Sequence, residues 1–119
     1  MLFGEFCRIT KNVANYKVLE KEVIMLGKYV IVRCDRAGVF AGVLKERNGR
    51  EVTLTNCRRL WFWSGAASIS QLAVDGTKNK ADCKFTVEVD EILLLDAIEI
   101  IPCTENAERS IKEVDVWKK

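Results

Sequence analysis

At 119 residues, 49% hydrophobic and 30% charged, the chain has the balance of one ordinary globular domain, with little room for a second core. Its longest apolar runs, Ile92 to Leu95 and Ile98 to Ile101, are interrupted by Asp96 and Glu99, far short of the ~20 residues a bilayer span needs, so no membrane segment is expected. A net charge of +2 and the absence of histidine argue against nucleic-acid binding by charge alone and against a hydrolytic triad.

The opening stretch, "MLFGEFCRITKN", lacks a charged leader followed by an apolar core and a small-residue cleavage site, so a cytoplasmic protein is expected. Residues from about Asn12 to Leu26 place Val13, Tyr16, Leu19, Val23 and Leu26 at spacings of three and four, the pattern of an amphipathic helix stopped by Gly27. The period then changes to two. "KYVIVRCD" and "AGVFAGVLKER" read as strands, and Asn48-Gly49 predicts a type I′ hairpin turn into the return strand "REVTLTNCRRLWFW". Beyond Gly65, "SGAASISQLAVDG" predicts a helix capped by Ser64, with Ile69, Leu72 and Ala73 on one face and its end near Gly76. "CKFTVEV" and "EILLLDAIEIIP" predict two more strands or one long bent one, ended by Pro102. Thr104 caps a short helix through "ENAERSIKEV", packed through Ala107, Ile111 and Val114. The expected fold is therefore a single α+β domain over residues 1–119: an antiparallel sheet of four to five strands with N-terminal, middle and C-terminal helices.

The five cysteines, Cys7, Cys34, Cys57, Cys83 and Cys103, contain no Cys-x-x-Cys pair. Without histidine a zinc site would need four of them from distant segments, so buried free thiols and no metal are expected. No P-loop or Gly-x-Gly-x-x-Gly occurs, and Asp90, Glu91, Asp96 and Glu99 lack an evident acid–base partner. Binding without chemistry, and without a cofactor, is the expectation.

Charge is unevenly spread. From Lys28 to Trp63 eight basic residues stand against three acidic ones, a net +5, whereas Phe85 to Glu108 holds seven acidic residues and no basic one. The two regions can pair within a subunit, between subunits or around an anionic ligand.

The densest cluster is "NCRRLWFWSGAAS". Strand alternation puts Val52, Leu54, Arg58, Leu60 and Phe62 on one face, read as buried, and Arg59, Trp61 and Trp63 on the other. Either the following helix covers this second face, with Arg59 lying over the indoles, or it is a binding surface, with rings stacking on a base and guanidiniums on phosphate. A helix starting at Ser64 would add N–H groups for an anion. Arg109 lies off the packing stripe of the last helix, near Glu105 and Glu108, and reads equally as a solvated charge.

The blocks "RRLWFWSGAASISQLAVDGT" and "EVDEILLLDAIEIIPCTENAERSIKEV" resemble the Thoeris anti-defence family, small bacteriophage sponge proteins that sequester a cyclic ADP-ribose isomer made by bacterial immune enzymes. The resemblance spans residues 28 to 115. It implies a homo-oligomer, a dimer or a hexamer, in the cytoplasm of the infected bacterium. Ligand pockets would lie at subunit interfaces, with the signal held intact and cyclic oligonucleotides as further ligands. On this reading Arg59, Arg109 and Arg58 take the phosphates, and Trp61, Trp63 or Phe85 takes the base. The alternatives are a phage accessory protein that binds single-stranded nucleic acid through the +5 region, or an interaction protein with no small ligand.

Overall fold

The computed structural model describes residues 25–119. The helix expected over residues 12–26 falls, but for its last two positions, outside the described residues. The described elements are β1 (Tyr29–Cys34), β2 (Val39–Asn48), β3 (Glu51–Phe62), α1 (Ile69–Asp75), a 3-10 turn (Lys80–Asp82), β4 (Lys84–Phe85), β5 (Val89–Leu94), β6 (Ala97–Pro102) and α2 (Glu105–Glu113). The α+β class is as expected, with six strands rather than four or five. The apolar run after Lys84 is neither two strands nor one: it is β4, β5 and β6.

Each terminus of these elements has a local cause. Thr104 caps α2 by accepting from the Ala107 N–H at 3.1 Å. The middle helix is capped by Ser68, whose hydroxyl accepts from the Gln71 N–H at 3.1 Å, and not by Ser64. With only seven residues starting at Ile69, it offers no helix N-terminus beside Trp63. The hairpin also differs by one position. Asn48 pairs with Glu51, so the turn residues are Gly49 and Arg50, and only Gly49 has positive φ, at 63°. That is the pattern of a type II′ turn rather than type I′.

The sheet runs β4-β3-β2-β1-β6, all antiparallel, with β5 on the same edge of β3 as β4. Only Leu95 and Asp96 separate β5 from β6, yet these strands pair at opposite sides of the sheet. Three Cα–Cα links reach at most roughly 11 Å, whereas four flat strand spacings would need roughly 19 Å. The sheet therefore has to curl. Its ends are tied where the Ala97 N–H donates to the Arg50 carbonyl (3.0 Å) and the Asp35 N–H to the Asp96 carbonyl (3.1 Å).

Curling produces two cores. The concave face buries Val30, Val32, Phe40, Leu44, Val52, Leu54, Cys57 and Leu94. The convex face packs Tyr29, Ile31, Ala41, Leu60 and Phe85 against Leu72 and Ala73 of α1 and Ile111 of α2.

Strand β3 contributes to both faces because it changes parity midway. Ala41 faces Arg58 and Val43 faces Thr55, so Gly42 stands opposite two residues, Asn56 and Cys57. Asn56 occupies the left-handed region at φ 48°, which asparagine tolerates better than most residues. This bulge reverses the alternation beyond it. Val52, Leu54 and Cys57 point into the concave core, while Leu60 joins the convex core. The single buried face expected for Val52, Leu54, Leu60 and Phe62 is thus split in two, and Phe62 is 50% exposed at the strand end.

Candidate functional site

Arg58, expected among the phosphate ligands, lies inside the fold at 5% exposure. Its Nε donates to the Thr86 carbonyl (3.1 Å), Nη1 to the Ile111 and Val114 carbonyls (both 2.9 Å) and Nη2 to the Phe85 carbonyl (3.1 Å). The guanidinium carbon sits 5.5 Å from the Phe85 ring centroid. These partners belong to β4, the chain after it, and the end of α2, so Arg58 ties the C-terminal segment to the sheet. Burial lowers its pKa from the usual arginine value, and carbonyl acceptors replace the lost water. Phe85 is fully buried beneath it, at 0% exposure, with no ring face open to a ligand. Both residues leave the candidate ligand set.

Arg59 points the opposite way, onto the concave side. It is exposed, and its guanidinium carbon lies 4.8 Å from the centroid of Phe40, its cross-strand partner. Two open grooves share Phe40, Arg59 and Ile92. One, of about 240 Å³, continues along Cys57, Thr86, Val87 and Val89. The other, of about 490 Å³, reaches Arg36, Leu95 and Asp96. No acidic side chain pairs with Arg59 among the described residues.

Trp61 follows two residues later, at the register shift between Leu60 and Phe62, and is 64% exposed. Its ring lies nearly parallel to that of Trp117, with centroids 6.3 Å apart and planes inclined by 10°, toward the long end of aromatic pair spacings. Trp117 is held by its backbone: Val116 bridges Phe85 in parallel and the Trp117 N–H donates to the Phe85 carbonyl at 2.9 Å. Lys84 extends its Nζ to 5.5 Å from the Trp117 ring centroid. On its other side Trp117 borders a groove of about 450 Å³ lined with Lys80, Cys83, Glu113 and Asp115. Neither Trp117 nor Lys84 was singled out by the sequence. The signal for Trp117 was an aromatic followed by two lysines in "DVWKK", in a segment with no periodicity to place it.

The other expected site residues lie apart. Trp63 is half-buried and packs against the convex core. Arg109 is exposed on α2, donating to the Asn106 side-chain carbonyl at 3.3 Å, and does not line the grooves beside Arg59 or Trp117.

Two of the seven acidic residues from Phe85 to Glu108 meet the basic region within this chain. Arg33 Nε contacts Glu99 at 2.7 Å and Lys45 contacts Glu91 at 2.9 Å, while Lys80 pairs with Glu113, whose carboxyl is held below its usual range by that hydrogen bond. Lys84 stays over the half-exposed Trp117 ring, and Arg59 over the buried Phe40 ring. Cys34, Cys57 and Cys83 are buried and free, and burial pushes Cys57 and Cys103 up to about 12. Among the described residues, no three acidic or thiol side chains converge on a metal position, and no helix is long and apolar enough to cross a membrane.

These features define a small α+β domain with an exposed aromatic pair flanked by cations on one end of a curled sheet. Residues 27–111 match the family described as Domain of unknown function (DUF6948), and the chain belongs to that family. No curated protein matches it.

Proposed function

We propose that this chain is a binding protein for a flat, anionic ligand of nucleotide type, which it holds intact. The observation that carries the reading is the juxtaposition of Trp61, stacked on Trp117 and largely exposed, with Arg59 two residues away and Lys84 over the partner ring. An indole pair left in water forgoes burial worth about 2 kcal/mol or more per ring, which a ligand ring recovers by stacking at ~1–3 kcal/mol per base. Guanidinium and ammonium groups then meet phosphate. The resemblance to the Thoeris anti-defence family supports cyclic ADP-ribose isomers as the first ligands to try and sequestration during phage infection as the role. A second subunit over this open surface would close the pocket, in keeping with the homo-oligomer that the resemblance implies.

Isothermal calorimetry with cyclic ADP-ribose isomers is the test. One ligand per subunit, recovered chemically unchanged after heat release, is the expected result. A ligand held at 100 times its dissociation constant stabilises the fold by ~2.7 kcal/mol, readily seen as a thermal shift. Absence of binding across cyclic and linear nucleotides sinks the proposal.

A second reading, single-stranded nucleic-acid binding, is favoured by the openness of the ring pair and by Lys118 and Lys119 directly after Trp117. It requires affinity that falls steeply with salt and grows with strand length.

A further inference from the structure

Arg59 stands between two different surfaces. On one side, two residues along β3 and so roughly 6.6 Å away, is the Trp61–Trp117 pair. On the other begins the trough formed by the two grooves that meet at Phe40, Arg59 and Ile92. The nearer groove, about 240 Å³, falls below the ~300–1,000 Å³ of pockets that enclose a whole drug-sized ligand. It can hold one ring system of a larger molecule and no more. Its walls are apolar at Phe40, Val87, Val89 and Ile92, with the Thr86 hydroxyl at the rim.

We infer that the ligand is a dinucleotide, with one base on the Trp61–Trp117 pair, the bridging phosphate on Arg59, and the second base in the Phe40–Val87–Ile92 groove. The inference rests on the nucleotide-binding reading and adds the ligand's size and order. The arrangement of ring platform, unpaired guanidinium and apolar slot carries it: a mononucleotide would use the first two and leave the slot in water. Arg59 is suited to the middle because its guanidinium carbon rests 4.8 Å from the Phe40 ring centroid while its N–H donors lack an acidic partner among the described residues.

The test compares adenosine monophosphate with linear adenylyl-adenosine, using quenching of tryptophan fluorescence in the full chain. The dinucleoside carries less negative charge, so electrostatics alone would favour the mononucleotide. Tenfold or greater preference for adenylyl-adenosine is expected, about 1.4 kcal/mol. The paired substitution Val87→Gln and Val89→Gln, at two exposed positions, should bring the ratio of the two affinities to about one. Equal affinities for the two ligands, or a preference that survives the paired substitution, overturns the dinucleotide inference while leaving the nucleotide reading intact. Failure of these two ligands to bind while a cyclic ADP-ribose isomer binds overturns the inference alone; failure of all of them removes the reading as well.

Discussion

Gly42 and Cys57 touch where the β2–β3 pairing slips: a Cβ built on Gly42 would lie 3.0 Å from the Cys57 Cα, 3.1 Å from its Cβ and 2.9 Å from the Thr55 carbonyl oxygen. The contact sits at the bulge that turns Arg59 onto the concave side. Gly42→Ala has to push β2 away from β3 backbone, which cannot rotate aside as a side chain can. Overpacking of this kind costs about 1–3 kcal/mol, so the urea midpoint should fall accordingly. Asn56→Gly, which accepts the left-handed conformation without a Cβ, should be near neutral. A neutral Gly42→Ala would show that the bulge is not held by close backbone approach.

Arg58 should matter for stability rather than for binding. Arg58→Ala takes the shared guanidinium from the carbonyls of Phe85, Thr86, Ile111 and Val114, of which Phe85 keeps the Trp117 N–H and Ile111 the Val114 N–H. Loss of a buried, charge-assisted network of this size costs about 3–5 kcal/mol. Arg58→Lys should recover only part of it, since one ammonium cannot span four acceptors set in a planar fork. Chemical denaturation measures both, and near-native stability of Arg58→Ala would contradict the structural role assigned to it.

The two exposed indoles predict the opposite pattern. Trp61→Ala should cost under about 1 kcal/mol of stability, because the ring is largely in water, and should weaken nucleotide binding at least tenfold. Trp63→Ala, which removes a ring packed on the convex core, should cost about 2–3 kcal/mol and leave binding little changed in whatever fraction is folded. Iodide should quench the wild-type emission substantially and the Trp61→Ala emission less. A Trp61→Ala protein as unstable as Trp63→Ala would place both rings in the core and end the case for a platform.

Local signals were readable in the sequence, and long-range ones were not. Thr104 before an apolar stripe, Pro102 after a β-branched run and Gly76 after Leu72 and Ala73 each marked an end that a nearby hydrogen bond or a fixed dihedral enforces. The hairpin was legible from Asn48-Gly49, off by one residue because pairing of Asn48 with Glu51 decides the loop. The faces of β3 were not legible, since one left-handed residue opposite Gly42 reverses the alternation and a second register shift between Leu60 and Phe62 changes it again, and nothing local at Asn56 announces which strand position it will oppose. Hence Arg59, expected on the face opposite Val52 and Leu54, lies on their concave side over Phe40, while Arg58, beside Leu54 by simple counting, lies on the other face. Trp117 was out of reach for the same reason: its place beside Trp61 depends on a backbone bridge to Phe85, more than thirty residues earlier in the chain.

Alkaline pH should unfold the protein through its thiols. Burial raises Cys57 and Cys103 from 9.0 to about 12, and Cys34 moves in the same direction. A folded pKa above the unfolded one means that the unfolded chain sheds its thiol protons first, so ∂ΔG/∂pH is negative between the two values. The contribution is fully present below pH ~9 and is lost as pH rises toward ~12. Cys57 is buried and Cys103 partly accessible, and a discounted figure of about 1 kcal/mol per thiol is expected by pH 10.5. Urea midpoints measured under reducing conditions at pH 8 and pH 10.5 should therefore differ clearly in the wild type. They should differ less in Cys57→Ala, after allowing for its lower starting stability. An unchanged pH dependence in that variant would mean that the Cys57 thiol is not held neutral by the concave core.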